Sequence, residues 1–459
     1  MKKSTPPNPD DKQIKRLTRS EFFDADWYVK NYPDVKIAGI EPAYHYLKYG
    51  GILKRDPGPD FDTQFYLDTR PGVEAKGLNP LLHLLSIKSA STPTYHYILW
   101  AASRLALRRS HSLAIDLAEK YIPEKLNYST EILKANKAIT EGDEESWLFH
   151  VNKYLDKFNV SPIVLHGSGS LLSRLSTKPL PKIEEGPLVS VIIPAWNAEK
   201  TIFSAATSIL NQTWKNLELI IVDDASTDST WSILNEISKK DKRVKILKNK
   251  INVGPYVSKN IALKHSNGEY ITGHDADDWA HPQRIEKHLS EMLKNNRHLL
   301  ASLTYMIRIQ PNGYFGHIGK VTGFSLDGVA RKASISCMFE RGTLIDTLGY
   351  WDSVRFGADS EMIARAKKIL GDRMAELEQI GMICLDLETS LTNHVEHGVD
   401  KVNGISPIRK EYRDSWSLWH TQELSRENAY LDLTQKERRY YANEKMRVPL
   451  EDIVLNIES

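Results

Sequence analysis

Cysteine is almost missing: the 459 residues contain two, Cys337 and Cys384. Two isolated thiols build neither a disulfide framework nor a CxxC metal pair, and they fit a reducing compartment. Long apolar runs are missing too. No stretch reaches the roughly 18 consecutive apolar residues a spanning helix needs, so no transmembrane segment is expected. The opening MKKSTPPNPDDKQIKR is basic but has no apolar core behind it, so it is not expected to act as a signal peptide. A cytoplasmic location is the expectation. Charge of one sign is likewise not in excess. With 61 basic and 59 acidic residues the net charge is +2, which gives no bulk field for nucleic acid.

What is present is an ordinary soluble composition on a chain too long for one core, so two or three folded units are expected. Residues 1–20 are polar and charged and read as disordered. Then the chain repeats itself. Phe23 through Leu47 recurs as Phe61 through Leu85 at a constant offset of 38, pairing Tyr28 with Tyr66, Pro33 with Pro71, Gly39 with Gly77 and His45 with His83. Such self-similarity marks stacked supersecondary units, here over 21–88. Each unit reads as a short helix, a glycine turn and a second helix opened by proline. His45 and His83 have no ligand partners at helical spacing and are expected to pack rather than bind metal. Residues 89–160 show apolar steps of three and four and read as helices. Residues 161–187 read as a linker ending at Gly186-Pro187.

From 188 to 400 the texture changes. LVSVIIPAW, LELIIVDDAS, RVKILKN and EYITGHDADDW read as buried strands, with helical segments between them. That alternation predicts an α/β domain with a mostly parallel sheet flanked by helices, and 401–459 reads as a helical tail. Ligands of open α/β sheets bind at the carboxyl ends of strands. Acidic residues stand at two such ends: Asp223-Asp224, and Asp275, Asp277 and Asp278. A dinucleotide site would show GxGxxG after the first strand, whereas this chain has Pro194-Ala195-Trp196-Asn197. Carboxylates at strand ends suit a hard divalent cation on a diphosphate. Asp223 or Asp224 can also accept from a base N–H or ribose hydroxyls. The bland alternatives are a helix cap for Asp223-Asp224 and a solvated acidic turn for the later cluster.

These residues carry a resemblance. VSVIIPAWN, LELIIVDDASTDST, NVGPYVSKN, GEYITGHDADDW and RFGADSEMIAR together resemble a family 2 glycosyltransferase with the GT-A fold. The resemblance implies an inverting transferase acting on a nucleotide-diphospho-sugar, with Mn²⁺ or Mg²⁺ as cofactor. Pro194, Trp196 and Asn197 match the loop lining the nucleotide pocket. Asp223 and Asp224 match the pair on base and ribose. Asn252 and Gly254 match the loop flanking the nucleotide, with Asn260 on the following helix. Asp275 and Asp277 match the DxD motif, Asp277 being the expected direct metal ligand. Asp359 matches the catalytic base, although Ala358 stands where the family has glutamate. Glu361 and Arg365 match the polar and basic positions after it. A late histidine, His394 or His397, is the further metal-ligand candidate. The N-terminal repeat resembles accessory repeats ahead of some bacterial glycosyltransferases.

The chemistry is consistent with that assignment. Glycosyl transfer needs a neutralised leaving group and one base within reach of the acceptor hydroxyl. Direct displacement inverts the anomeric carbon and needs no second carboxylate. The expected partners are a UDP-sugar donor and a glycan or lipid-linked hydroxyl acceptor in cell-surface polysaccharide or glycan synthesis. The N-terminal repeats or the C-terminal helix, with Tyr412, Trp416 and Trp419, would be the surfaces for a protein or the inner membrane face. Packing of that helix onto the domain is the simpler expectation. Two other readings remain: a catalytically degenerate scaffold, and a sugar nucleotidyltransferase. The latter would need a glycine-rich, basic loop after the first strand.

Overall fold

In the computed structural model, which describes residues 8–86, 94–294, 298–388, 390–391, 393, 397–400 and 404–457, the sequence repeat closes over two matching hydrogen bonds. The Tyr28 hydroxyl meets His45 Nδ1 at 3.0 Å, and the Tyr66 hydroxyl meets His83 Nδ1 at 2.7 Å. In both repeats the first helix is capped by an aspartate. Asp24 accepts from Trp27 N–H before Ala25–Asn31, and Asp62 accepts from Phe65 N–H before Thr63–Thr69. Gly39 and Gly77 take φ of 63° and 64°, the left-handed turn that only glycine adopts cheaply. Tyr28, Val35, Tyr46, Tyr66, Val73 and Leu81 form one core. The histidines are packing residues. Part of the segment read as disordered is a helix: Asp11–Thr18 opens on an Asp10–Gln13 capping box and buries Leu17 in that core. Residues 1–7 lie outside the described residues. Helices Tyr95–Arg108 and His111–Tyr121 follow, as the apolar steps predicted. Met1–Lys137 and Ile318–Val329 make one compact unit, and the rest of the chain makes a second.

The second unit holds a nine-stranded sheet. Its strands are β1 (Val189–Ala195), β2 (Leu217–Asp223), β3 (Val244–Lys248), β4 (Tyr270–Gly273), β5 (Trp279–Ala280), β6 (Ala301–Ile309), β7 (Arg331–Lys332), β8 (Met338–Glu340) and β9 (Met374–Leu385). The order is β3-β2-β1-β4-β8-β6-β9-β5, with β7 on β6. β3, β2, β1 and β4 are mutually parallel, as are β6 and β9. β8 runs antiparallel to both β4 and β6. The carboxyl ends of β1, β2, β3, β4, β6 and β9 therefore share one edge.

Helices cover both faces because the strands are apolar on both sides. Val191, Ile193, Leu219 and Ile221 face α1 (Ile202–Leu210), α2 (Thr230–Lys240) and α4 (Arg284–Met292). Ile192, Ile220 and Val222 face α3 (Gly254–Lys264), α5 (Ala358–Leu370) and α6 (Pro407–Gln422). Tyr412, Trp416 and Trp419 of α6 lie in this second core, so the aromatic face packs on the domain. Residues 161–187 are more than a linker. Ile163–Leu165 pairs antiparallel with Leu175–Thr177, and Ile183 N–H donates to Thr213 O at 2.8 Å.

Candidate active site

The first strand end is built by hydrogen bonds between two loops. Asn197, at φ 47°, accepts from Thr227 N–H at 2.9 Å and donates its own N–H to Ser226 Oγ at 3.0 Å. Pro194 is inside β1, and Trp196 beside Asn197 is 58% exposed, a free aromatic face at the sheet edge. Asp223 ends β2 and Asp224 follows it, and both are buried. Asp224 accepts from Val253 N–H at 2.9 Å, Gly254 N–H at 2.7 Å and Asn249 Nδ2 at 2.7 Å. Burial pushes its carboxyl up, and these donors pull it back. It thereby caps the start of α3, where Gly254 takes φ 81°. Asp223 differs. Oδ1 accepts from Ser226 N–H at 3.2 Å, whereas Oδ2 is buried without a hydrogen-bond partner and has Lys248 Nζ at 3.9 Å. Asn252 joins this loop: it donates to Asp224 O at 3.2 Å and accepts from Arg355 at 2.8 Å.

Asn260 is a correction. It is fully buried, donates to Trp351 O at 2.8 Å and accepts from Trp351 N–H at 2.9 Å. Both ends of its amide are taken by one backbone residue, so it fixes the fold and does not reach a nucleotide. Trp279 and Trp351 are buried packing residues as well.

Asp275, Asp277 and Asp278 crowd the end of β4. Asp275 and Asp277 are half-buried, and Asp278 is buried with Oδ1 accepting from Leu385 N–H at 3.1 Å. Burial holds all three carboxyls above the usual range. Asp275 and Asp278 are raised further by neighbouring carboxylates, and Arg308 of β6 acts against this at all three. A divalent cation would relieve such crowding. The donors there are oxygens alone, which suits Mg²⁺ or Mn²⁺ with phosphate and water completing the shell. Among the described residues no three His, Cys, Asp or Glu side chains converge into a protein-only cage. The residues fit a cation held by Asp277 and Asp275 on a diphosphate.

The described histidines near this set, His274 and His397, are engaged elsewhere. His274 is buried, with Nε2 on Asp278 O at 3.2 Å; burial, then the Arg284 charge, pushes its pKa far down. His397 stacks on Phe356 at 5.2 Å. His394 lies outside the described residues.

Asp359 sits in the first turn of α5, which starts at Ala358, with Gly357 at φ 94° as its cap. Its two oxygens lie 2.9 and 3.0 Å from Lys259 Nζ. Sequence reasoning missed Lys259. The signal was a lysine inside the otherwise buried run of α3, where a charge needs a partner. Glu361 and Arg365 are fully buried and paired at 2.9 Å, with His420 of α6 at 3.0 Å from Glu361. They join α5 to α6 and stand away from solvent.

Part of this chain is similar to known proteins. The description "Glycosyl transferase family 2" matches residues 190–345, which stops short of Asp359. An uncharacterized glycosyltransferase of Haemophilus influenzae is 49% identical over 124 residues, 27% of this chain and 38% of that protein. The Escherichia coli UDP-Glc:alpha-D-GlcNAc-diphosphoundecaprenol beta-1,3-glucosyltransferase WfaP is 48% identical over 92 residues, 20% of this chain and 36% of that protein. The chain thus spans less than half the length of these relatives. Among solved structures, S. aureus TarS 1–349 in complex with UDP-GlcNAc aligns at 21% identity and TM-score 0.36, over 44% of this chain and 59% of that one. No helix among the described residues is long and apolar enough to cross a membrane. Residues 190–345 of this chain are a family 2 glycosyltransferase domain.

Proposed function

We propose that this chain transfers a sugar from a UDP-sugar to a hydroxyl of a glycan or lipid-linked acceptor, on the cytoplasmic side, in cell-surface polysaccharide synthesis. The observation that carries the reading is the gathering of Asp223, Asp275, Asp277 and Asp359 at one edge of the sheet. Asp223 Oδ2, buried and without a hydrogen bond, is poised to accept from a base or ribose donor. Asp277 and Asp275 would hold Mn²⁺ or Mg²⁺, which when bound neutralises the charge on the departing diphosphate. Asp359 takes the proton of the acceptor hydroxyl as its oxygen attacks the anomeric carbon from the face opposite the leaving group. One base and in-line attack give inversion. The name of the E. coli relative, a UDP-glucose enzyme for a lipid-diphosphate glycan, supports this donor and acceptor class.

A scaffold reading would need Asp359 turned away from the acidic cluster. Its charge instead adds to that on Asp275, which favours an enzyme. The test is UDP binding and sugar transfer with and without Mn²⁺. Asp277→Ala is expected to lose metal-dependent UDP binding, and Asp359→Ala to keep binding and lose transfer. Equal metal-dependent UDP affinity in wild type and Asp277→Ala would sink the metal assignment.

A further inference from the structure

Lys259 stands in α3 with its side chain 2% exposed, and Asp359, which it contacts, is 21% exposed. The lysine is fixed from several sides. Nζ lies 4.8 Å from the Tyr256 ring centre and 5.8 Å from that of Trp351. Those rings are themselves held. Gly357 N–H donates to the Tyr256 hydroxyl at 3.2 Å, and Asn260 clamps the Trp351 backbone at both its N–H and its carbonyl. So α3 and the segment 351–359 are joined by polar contacts at Trp351, Gly357 and Asp359, and the one made by Lys259 reaches the carboxylate. Fastening two elements needs no buried ammonium, because desolvating a lysine is costly and an apolar side chain fastens as well. What an ammonium adds is a fixed charge beside that carboxylate. It touches both oxygens, yet each oxygen has a second lone pair, and the exposed fraction of Asp359 leaves a side open.

We propose that Lys259 is a positioning residue for the transfer: its ammonium, set between Tyr256 and Trp351, holds the Asp359 carboxylate aimed at the acceptor. The inference rests on Asp359 being the base. In the step it serves, the acceptor O–H proton passes to Asp359. The acceptor oxygen bonds to the anomeric carbon, and the bond from that carbon to the phosphate oxygen breaks with its electron pair on the nucleoside diphosphate. Without the ammonium, both carboxylate oxygens lose the donor that fixes them, and the base loses its aim at the acceptor hydroxyl.

The experiment compares wild type, Lys259→Met, Lys259→Arg and Asp359→Asn. It uses UDP-glucose, UDP-GlcNAc and UDP-galactose as donors and a short-chain α-D-GlcNAc diphospholipid as acceptor. The readouts are UDP–Mn²⁺ affinity, kcat and donor KM. Lys259→Met is expected to hold UDP affinity within about twofold. Its kcat should fall about tenfold or more with donor KM unchanged. Lys259→Arg should restore most of it. An unchanged kcat overturns the proposal, as does a rise in donor KM in place of a fall in kcat, which would make Lys259 a phosphate contact. Full transfer by Asp359→Asn, or no transfer by wild type from any of the three donors, instead brings down the underlying reading.

Discussion

Adjacent carboxylates at the end of β2 divide the work between them. Asp224 accepts three hydrogen bonds from the loop and helix it caps, and Asp223 leaves one oxygen for a ligand. Asp224→Ala should therefore cost stability, about 2–4 kcal/mol, since charged hydrogen bonds contribute most and the freed N–H groups stay buried. Asp223→Asn should leave the urea midpoint nearly unmoved while UDP affinity drops about tenfold, or about 1.4 kcal/mol. Calorimetry and chemical denaturation on both variants check the division, and equal loss of stability in the two would refute it. The sequence showed that both carboxylates lie at a strand end. Which one caps depended on where Val253 and Gly254 point their N–H groups, and that is fixed by the turn into α3. Asn260 misled for a similar reason: an asparagine beside a nucleotide loop reads as a ligand group until the backbone of Trp351, 91 residues away, is folded against it.

The element that carries Asp359 is α5, and its anchor to the rest of the domain is ionic. Arg365 donates to the carbonyls of Leu348, Ala429 and Tyr350 as well as pairing with Glu361. Breaking a buried pair by removing one partner strands the other charge, at about 3–5 kcal/mol. Arg365→Met should lower stability by that order. Glu361→Leu combined with Arg365→Met should recover part of it, because neither charge is then left alone. A double variant no more stable than the single one would show that the carbonyl contacts matter more than the pair. The strands and helices of this unit were legible because their apolar alternation is strong on both faces, as in Val191 against Ile192. Segment 161–187 was not. Its strands of three residues are too short to show a period, and what holds Ile163 is the side chain of Asn152, which donates to its carbonyl and accepts from its N–H.

Acid should loosen the sheet unit as a whole. His281 and His288 are buried, and burial depresses them to about 4 and about 3. A histidine depressed in the folded state stabilises the fold above its unfolded pKa of about 6.5, and that contribution is lost as pH falls through the folded value. Urea midpoints should thus fall between pH 6.5 and 4, and fall less in a His281→Gln, His288→Gln variant; parallel curves for the two proteins would refute the attribution. One consequence at the same scale follows from the cap on α3. The helix beginning beside these loops, α3, has its first N–H groups already engaged by an internal anion, Asp224. In the phosphate-binding loops of many nucleotide proteins that socket is left open for the ligand. Here it is closed from within, so under the proposed function a diphosphate would have to bring its own counter-ion to the edge of the sheet, and the carboxylates after β4 would be the place to receive it.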